Sequence, residues 1–201
     1  MQAIIDAVRD GRLDARIAVV ISNRSDAPGL QRAREAGIET LVCDHRPHRT
    51  RDDYDRSLVD ELKRRGVTLV CLAGFMRLLG GAFLSAFPNA VLNVHPSLLP
   101  AFPGVDAQRQ ALAHGVRVTG ATVHLVTPEL DGGPIILQAQ VPVHEHDTVE
   151  SLSARILVEE HRIYVEAITI AISGDWTLDG RRFLYQTPGT SLNRTRSEYS
   201  R

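Results

Sequence analysis

The chain has 201 residues, about the size of one domain, and its 43% hydrophobic and 23% charged side chains exclude both a disordered chain and a disulfide-stapled miniprotein. Its 23 basic and 24 acidic residues nearly cancel, so the charge gives no support to a nucleic acid or an anionic membrane surface as partner. The apolar runs are too short to cross a bilayer, the opening Met1-Gln2-Ala3-Ile4-Ile5-Asp6 does not read as a signal peptide, and Cys43 and Cys71 form no metal or redox spacing. A cytoplasmic, single-domain α/β protein is the expectation.

Short β-branched runs alternate with amphipathic stretches along the chain. Residues 16–22, Arg-Ile-Ala-Val-Val-Ile-Ser, read as a buried strand, and 26–37 as a helix closed by Gly37. A second short strand is expected over 38–42. Thr50-Arg51-Asp52-Asp53 has the spacing of an N-terminal cap, and behind it Tyr54, Leu58 and Leu62 recur every four residues, as on one helix face. The run Val67-Thr68-Leu69-Val70-Cys71-Leu72 reads as a parallel strand covered on both faces. A short helix over 80–87, a strand over 90–94 and a helix over 106–114 follow. Residues 118–126 and 135–143 read as two longer strands, and 148–173 as a long closing helix. From Gly174 the chain turns polar, which predicts a short strand near Trp176 or Phe183 and then a flexible tail over 186–201. Alternating strands and helices predict a largely parallel sheet with helices on both faces, and a site beyond the carboxyl ends of its strands.

The densest polar cluster is Leu92-Asn93-Val94-His95-Pro96-Ser97-Leu98-Leu99-Pro100. Strand alternation places Asn93 and His95 on one face at a strand's carboxyl end, and Pro96 biases His95 toward an extended backbone. An amide donor beside an imidazole suits a reaction that builds negative charge on a carbonyl oxygen and needs a proton for its leaving group. Singly, Asn93 reads as a strand-end cap and His95 as a satisfied loop histidine; together, before a rigid Pro-rich loop, they favour the chemical reading.

In Thr127-Pro128-Glu129-Leu130-Asp131-Gly132-Gly133-Pro134, Asp131 can reach His95 and favour its protonated form, or it can bond its own backbone in an ordinary Asp-Gly turn. The residues alone lean slightly toward the turn. Glu160 falls on the apolar stripe of the closing helix with Leu152, Ile156, Ile163 and Ala167, so it needs either a substrate donor or an internal arginine. The segment Ala73-Gly74-Phe75-Met76-Arg77-Leu78-Leu79 follows a buried strand and offers either an apolar slot for a flat ligand or plain core packing. His124 lies within a strand and reads as structural. There is no metal-ligand spacing, no dinucleotide fingerprint and no phosphate-loop lysine motif, so neither a metal nor a nicotinamide is expected.

These segments, with Thr119-Gly120-Ala121-Thr122-Val123-His124 and Glu159-Glu160-His161-Arg162-Ile163-Tyr164, make the stretch from Gln2 to about 185 resemble the 10-formyltetrahydrofolate-dependent formyltransferase family, and within it the branch acting on glycinamide ribonucleotide. The resemblance implies a Rossmann-like fold. It implies that an amine attacks the formyl carbon of 10-formyltetrahydrofolate, with Asn93 and protonated His95 stabilising the oxyanion, His95 as general acid and Asp131 holding His95 charged. By the same resemblance Arg51, Met76, Arg77, Leu78, Leu79 and Asn93 contact folate, and Glu160 contacts the ribonucleotide. Small-molecule partners and a monomer or homodimer are implied, with no nucleic acid and no membrane.

One departure stands out. The family begins with a strand and a Gly/Ser/Asn loop that holds the ribonucleotide phosphate, ahead of the helix at Gln2-Ala3-Ile4-Ile5-Asp6. The expectation is therefore a sheet with its first strand missing, unpaired backbone groups or a gap, poor stability and weak or no activity. Two other readings follow: a formyltetrahydrofolate hydrolase or a formyltransferase for another amine, and a non-catalytic folate-binding remnant.

Overall fold

The computed structural model describes residues 1–185, so the tail expected over 186–201 lies outside the described residues. The elements run α1 (Gln2–Arg9), β1 (Val20–Ser22), α2 (Pro28–Glu35), β2 (Thr40–Val42), α3 (Arg51–Arg64), β3 (Val70–Cys71), α4 (Gly81–Ala86) and β4 (Val91–His95). Then come α5 (Ala107–Ala113), β5 (Val118–Leu125), β6 (Ile135–Pro142), α6 (Val149–Ser173), β7 (Trp176–Asp179) and β8 (Arg182–Tyr185). The expected α/β class is there. One sheet has the order β3-β4-β5-β6-β8-β7, in which β3, β4, β6 and β8 point one way and β5 and β7 run against them. A separate parallel pair, β1–β2, stands beside it.

Helices cover both faces because neighbouring strand residues point oppositely. Leu92 joins a core built from α6, β5, β6 and Ala7 of α1. Val91, one residue earlier, joins a second core with Tyr54, Leu58 and Leu62 of α3 and Phe83 of α4. The predicted helix starts hold: the Thr50 hydroxyl accepts the Asp53 N–H at 3.1 Å, and Thr148 and Ser151 cap each other's backbone at the head of α6. The Tyr164 hydroxyl lies 2.7 Å from the Leu72 carbonyl oxygen and 3.0 Å from that of Leu92, which ties α6 to the ends of β3 and β4.

Two strands are shorter than the sequence predicts. The runs 16–22 and 67–72 were expected as buried strands, but only Val20–Ser22 and Val70–Cys71 pair, and each of those residues is half-buried. The physical reason is a slot of about 1000 Å³ between them, lined by Val19, Ile21, Leu69, Cys71 and Ile168 among others. A strand edge without a neighbour loses the ladder that would extend it, and its apolar side chains lose cover. The polar end of the described chain is also more regular than expected: β7 and β8 form a hairpin, with the Trp176 and Phe183 rings stacked 4.7 Å apart.

Candidate active site

Strand β4 ends at His95, and the loop that follows is strapped across β5 and β6. The Leu99 N–H donates to the Thr122 hydroxyl at 3.0 Å, that hydroxyl donates to the Ser97 carbonyl at 2.6 Å, and the Gln138 amide donates to the Leu99 carbonyl at 2.9 Å. A Cβ at Gly120 would lie 1.9 Å from the Ala139 carbonyl oxygen and 2.8 Å from Leu98, so only glycine lets β5, β6 and this loop approach so closely. The loop carbonyls and amides are thereby fixed around His95.

The antiparallel register sets Asn93 opposite His124 and His95 opposite Thr122. The Asn93 amide nitrogen lies 3.3 Å from His124 Nε2, while His124 Nδ1 lies 2.9 Å from the Leu125 carbonyl oxygen. A carbonyl can only accept, so Nδ1 carries the proton and Nε2 accepts from Asn93. Burial pushes the His124 imidazole below its ordinary value, against a weaker pull from Asp131, in keeping with that neutral tautomer. His124 is 2% exposed and His95 5%.

Asp131 sits between the two histidines. Its Oδ2 lies 3.5 Å from His95 Nδ1 and accepts the Gly104 N–H at 2.7 Å, and its Oδ1 lies 3.7 Å from His124 Nε2. His95 Nε2 lies 2.8 Å from the Phe102 carbonyl oxygen and so donates to it, which leaves Nδ1 facing the carboxylate. A second proton on that ring would complete an ion pair with Asp131. Asp131 adopts φ of 49°, in the left-handed region. A Cβ at Gly133 would stand 1.8 Å from the Leu125 carbonyl oxygen, so the turn that aims Asp131 inward requires glycine there. Of the two readings open for Asp131, the geometry matches the one in which it reaches His95.

Asn93, His95 and Asp131 thus share one cluster at the carboxyl end of β4, with His95 buried and the other two half-buried. Such a set can hydrogen-bond an anionic oxygen, deliver a proton and hold the resulting charges in place of water. His124 belongs to it too and was read from sequence as structural. The signal for it was the period-two spacing of Thr122 and His124, which an antiparallel β4–β5 pairing brings alongside His95 and Asn93.

The other candidates lie on α3, on the loop after β3 and on α6. Arg51 is exposed at the first residue of α3, and Met76 and Leu78 are 78% and 55% exposed on the loop after β3. The Arg77 guanidinium lies over the Tyr54 ring, 5.4 Å from its centroid. Leu79 differs from its neighbours: its side chain is buried in the core with Tyr54, Leu58 and Phe83. Glu160 is half-buried on α6, where burial pushes its carboxyl up and the Met1 ammonium opposes that shift. No hydrogen bond joins Glu160 to the Asn93 cluster among the described residues.

The sequence and the fold match known proteins. A family model described as formyl transferase matches residues 1–168. The chain is 44% identical over 186 residues to phosphoribosylglycinamide formyltransferase of Escherichia coli, covering 92% of this chain and 85% of that protein. It is 45% identical over 174 residues to the human trifunctional purine biosynthetic protein adenosine-3, covering 87% of this chain but only 17% of that longer protein. Among solved structures, glycinamide ribonucleotide transformylase 1 of Symbiobacterium toebii superposes with a TM-score of 0.91 at 57% identity, over 92% of this chain and 88% of that one. The fold is that of a formyl-transferring enzyme class. The chain belongs to the formyl transferase family.

Proposed function

We propose that this chain transfers the formyl group of 10-formyltetrahydrofolate to the amino group of glycinamide ribonucleotide, a step of purine biosynthesis. The observation that carries the reading is the convergence of Asn93, His95, His124 and Asp131 within hydrogen-bond or ion-pair reach at one strand end. The names of the relatives identify the amine to test, and the family resemblance supplies 10-formyltetrahydrofolate as its formyl donor.

In the reaction the amine nitrogen bonds to the formyl carbon, and the carbonyl electron pair moves onto oxygen. Asn93 donates its amide N–H to that oxyanion, and protonated His95 stabilises it beside Asn93. As the tetrahedral intermediate collapses, the bond from carbon to the folate N10 breaks and His95 supplies the proton that N10 takes, its Nε2–H leaving the Phe102 carbonyl to do so while Nδ1 stays on Asp131. Asp131 holds His95 in its charged form and receives, through water, the proton shed by the new amide nitrogen. Removing such a general acid costs about 10²–10⁴-fold in rate. Arg51, Met76, Arg77, Leu78 and Leu79, with Asn93, hold the folate, Leu79 through its backbone since its side chain is turned inward. Glu160 receives the ribonucleotide. Both partners are small molecules, and the enzyme works as a monomer or homodimer. Cys43 and Cys71 are free thiols, which suits a reducing cytoplasm.

The test is incubation of the purified chain with both substrates, following formylated ribonucleotide and free formate separately. Formylated product from the wild-type chain, with kcat lost in His95→Ala, supports the reading. Formate without transfer would replace it with a hydrolase. Folate binding with neither product would reduce the chain to a binding remnant.

A further inference from the structure

Asp55 is buried in the second turn of α3, 2% exposed, with an acidic side chain that the proposed chemistry does not use. Its carboxyl Oδ2 accepts the backbone N–H of Gly80, 25 residues away, at 2.6 Å. Gly80 is the residue immediately after the Ala73–Leu79 loop, and it caps α4. A Cβ on Gly80 would stand 2.8 Å from Asp55 Oδ2, 3.1 Å from Asp52 Oδ1 and 3.7 Å from Arg51 Nε. The exit of the loop is therefore pressed against the first turns of α3, where Arg51 lies. Its φ of −81° suits any residue, so contact with Asp55, and not backbone conformation, is what favours glycine there.

The loop has few other holds. Met76 and Leu78 project into solvent, while Arg77 leans on Tyr54 and Leu79 plugs the core beside it. These anchors, with Phe75 packed on the same core, reach α3 or its core, and among them only Asp55 grips backbone, at the loop's exit. A buried carboxyl that loses its donor is costly to leave unpaired, so this grip fixes the loop relative to Arg51.

We propose that Asp55 is a positioning residue for the folate co-substrate: through Gly80 it holds the Met76–Leu79 segment at the spacing from Arg51 that one ligand can bridge. This inference rests on the folate reading above. Asp55 touches no substrate, so its effect appears in folate binding and not in the chemical step.

The experiment is calorimetric titration of the full chain with 5-formyltetrahydrofolate, a stable probe, on wild type, Asp55→Asn, Asp55→Ala and Gly80→Ala, each with its thermal midpoint recorded. Asp55→Asn keeps an oxygen acceptor and should bind within twofold of wild type. Gly80→Ala pushes the carboxyl away, and its Kd should rise about tenfold, the value of one hydrogen bond. Asp55→Ala should match it, and if that variant does not fold, the other two decide. Gly80→Ala binding like wild type, or Asp55→Asn binding as weakly as Gly80→Ala, would overturn the proposal. A wild-type chain that takes up no folate would instead overturn the functional reading.

Discussion

His124 makes two demands on one ring: Nδ1 gives its proton to the Leu125 carbonyl, and Nε2 must stay unprotonated to accept from Asn93. The amide of Asn93 is thereby held with its carbonyl end free to turn elsewhere and its remaining N–H available to an oxyanion. In His124→Phe a slightly larger ring fills the site and loses both the acceptor and the Leu125 donor, so Asn93 is no longer oriented. We expect kcat to fall about 10–100-fold, the cost of one misaimed oxyanion donor in part, with KM for the folate changed little. Steady-state kinetics against His124→Gln checks this, since glutamine retains an acceptor and should lose less. The same ring makes stability depend on pH. Its folded-state value lies below the ordinary 6.5, because burial disfavours the cation. Below 6.5 the unfolded chain therefore binds a proton that the folded chain resists, so the contribution is complete above 6.5 and is lost as pH falls through and below that value. Urea unfolding at a series of pH values from about 7.5 down to about 5.5 should give a steeper loss for wild type than for His124→Phe, by at most about 1.4 kcal/mol per pH unit. Parallel slopes in the two proteins would show that His124 stays outside the titration.

At the level of single elements, the caps and turns do measurable work. The head of α6 is closed by a reciprocal pair, in which the Thr148 hydroxyl accepts from the Ser151 N–H at 3.2 Å and the Ser151 hydroxyl accepts from the Thr148 N–H at 3.0 Å. Thr148→Ala should lower stability by about 1 kcal/mol without touching catalysis, read from urea midpoints and kcat together. Gly133→Ala is a harsher change, since the new methyl would meet the Leu125 carbonyl at 1.8 Å in the turn that carries Asp131. The expected result is a loss of about 1–3 kcal/mol together with a fall in kcat, because the backbone must move to relieve the contact. Helix boundaries of this kind were readable from sequence, since caps such as Thr50 and Thr148 are local signals. Strand alternation is local as well and sets Asn93 and His95 on one face, whereas the residues around Asp131 favour an ordinary turn and only the folded chain brings its carboxylate to His95. Register is not local: the antiparallel pairing of β4 with β5 decides that His124 faces Asn93, and nothing in either segment alone announces it. The β7–β8 hairpin escaped for a similar reason. Its polar strands hold together through Trp176 stacked on Phe183, a contact formed only once the chain turns at Gly180.

Across the whole molecule the packing divides unevenly. Strands β4, β5 and β6 lie in the interior of a six-stranded sheet under α6, with Leu92, Val123, Leu125 and Val141 almost wholly buried. Strands β1 and β2 form a ribbon of two three-residue strands with α2 against it, and β1 turns its free edge to the slot facing β3. An isolated two-stranded ribbon is marginal in water, and one that borders an apolar opening lacks both ladder partners and cover on that side. Local opening of the ribbon should therefore need much less free energy than global unfolding, while opening of β5 should need nearly all of it. Hydrogen exchange followed by mass spectrometry gives the measurement. Peptides spanning Val20–Ser22 and Thr40–Val42 should exchange faster, by about two orders of magnitude or more, than peptides within Val118–Leu125, a gap of about 2.7 kcal/mol in opening free energy. The first turn of α3 bears on the same comparison, because Thr50 and Arg51 follow the ribbon in sequence while Asp55 and Tyr54 anchor them to the second core. Protection should rise between Val42 and Tyr54, which would place the boundary of the labile unit short of the Arg51–Gly80 region. Equal protection in the ribbon and in β5 would mean that the slot is closed in solution and that the two sheets behave as one.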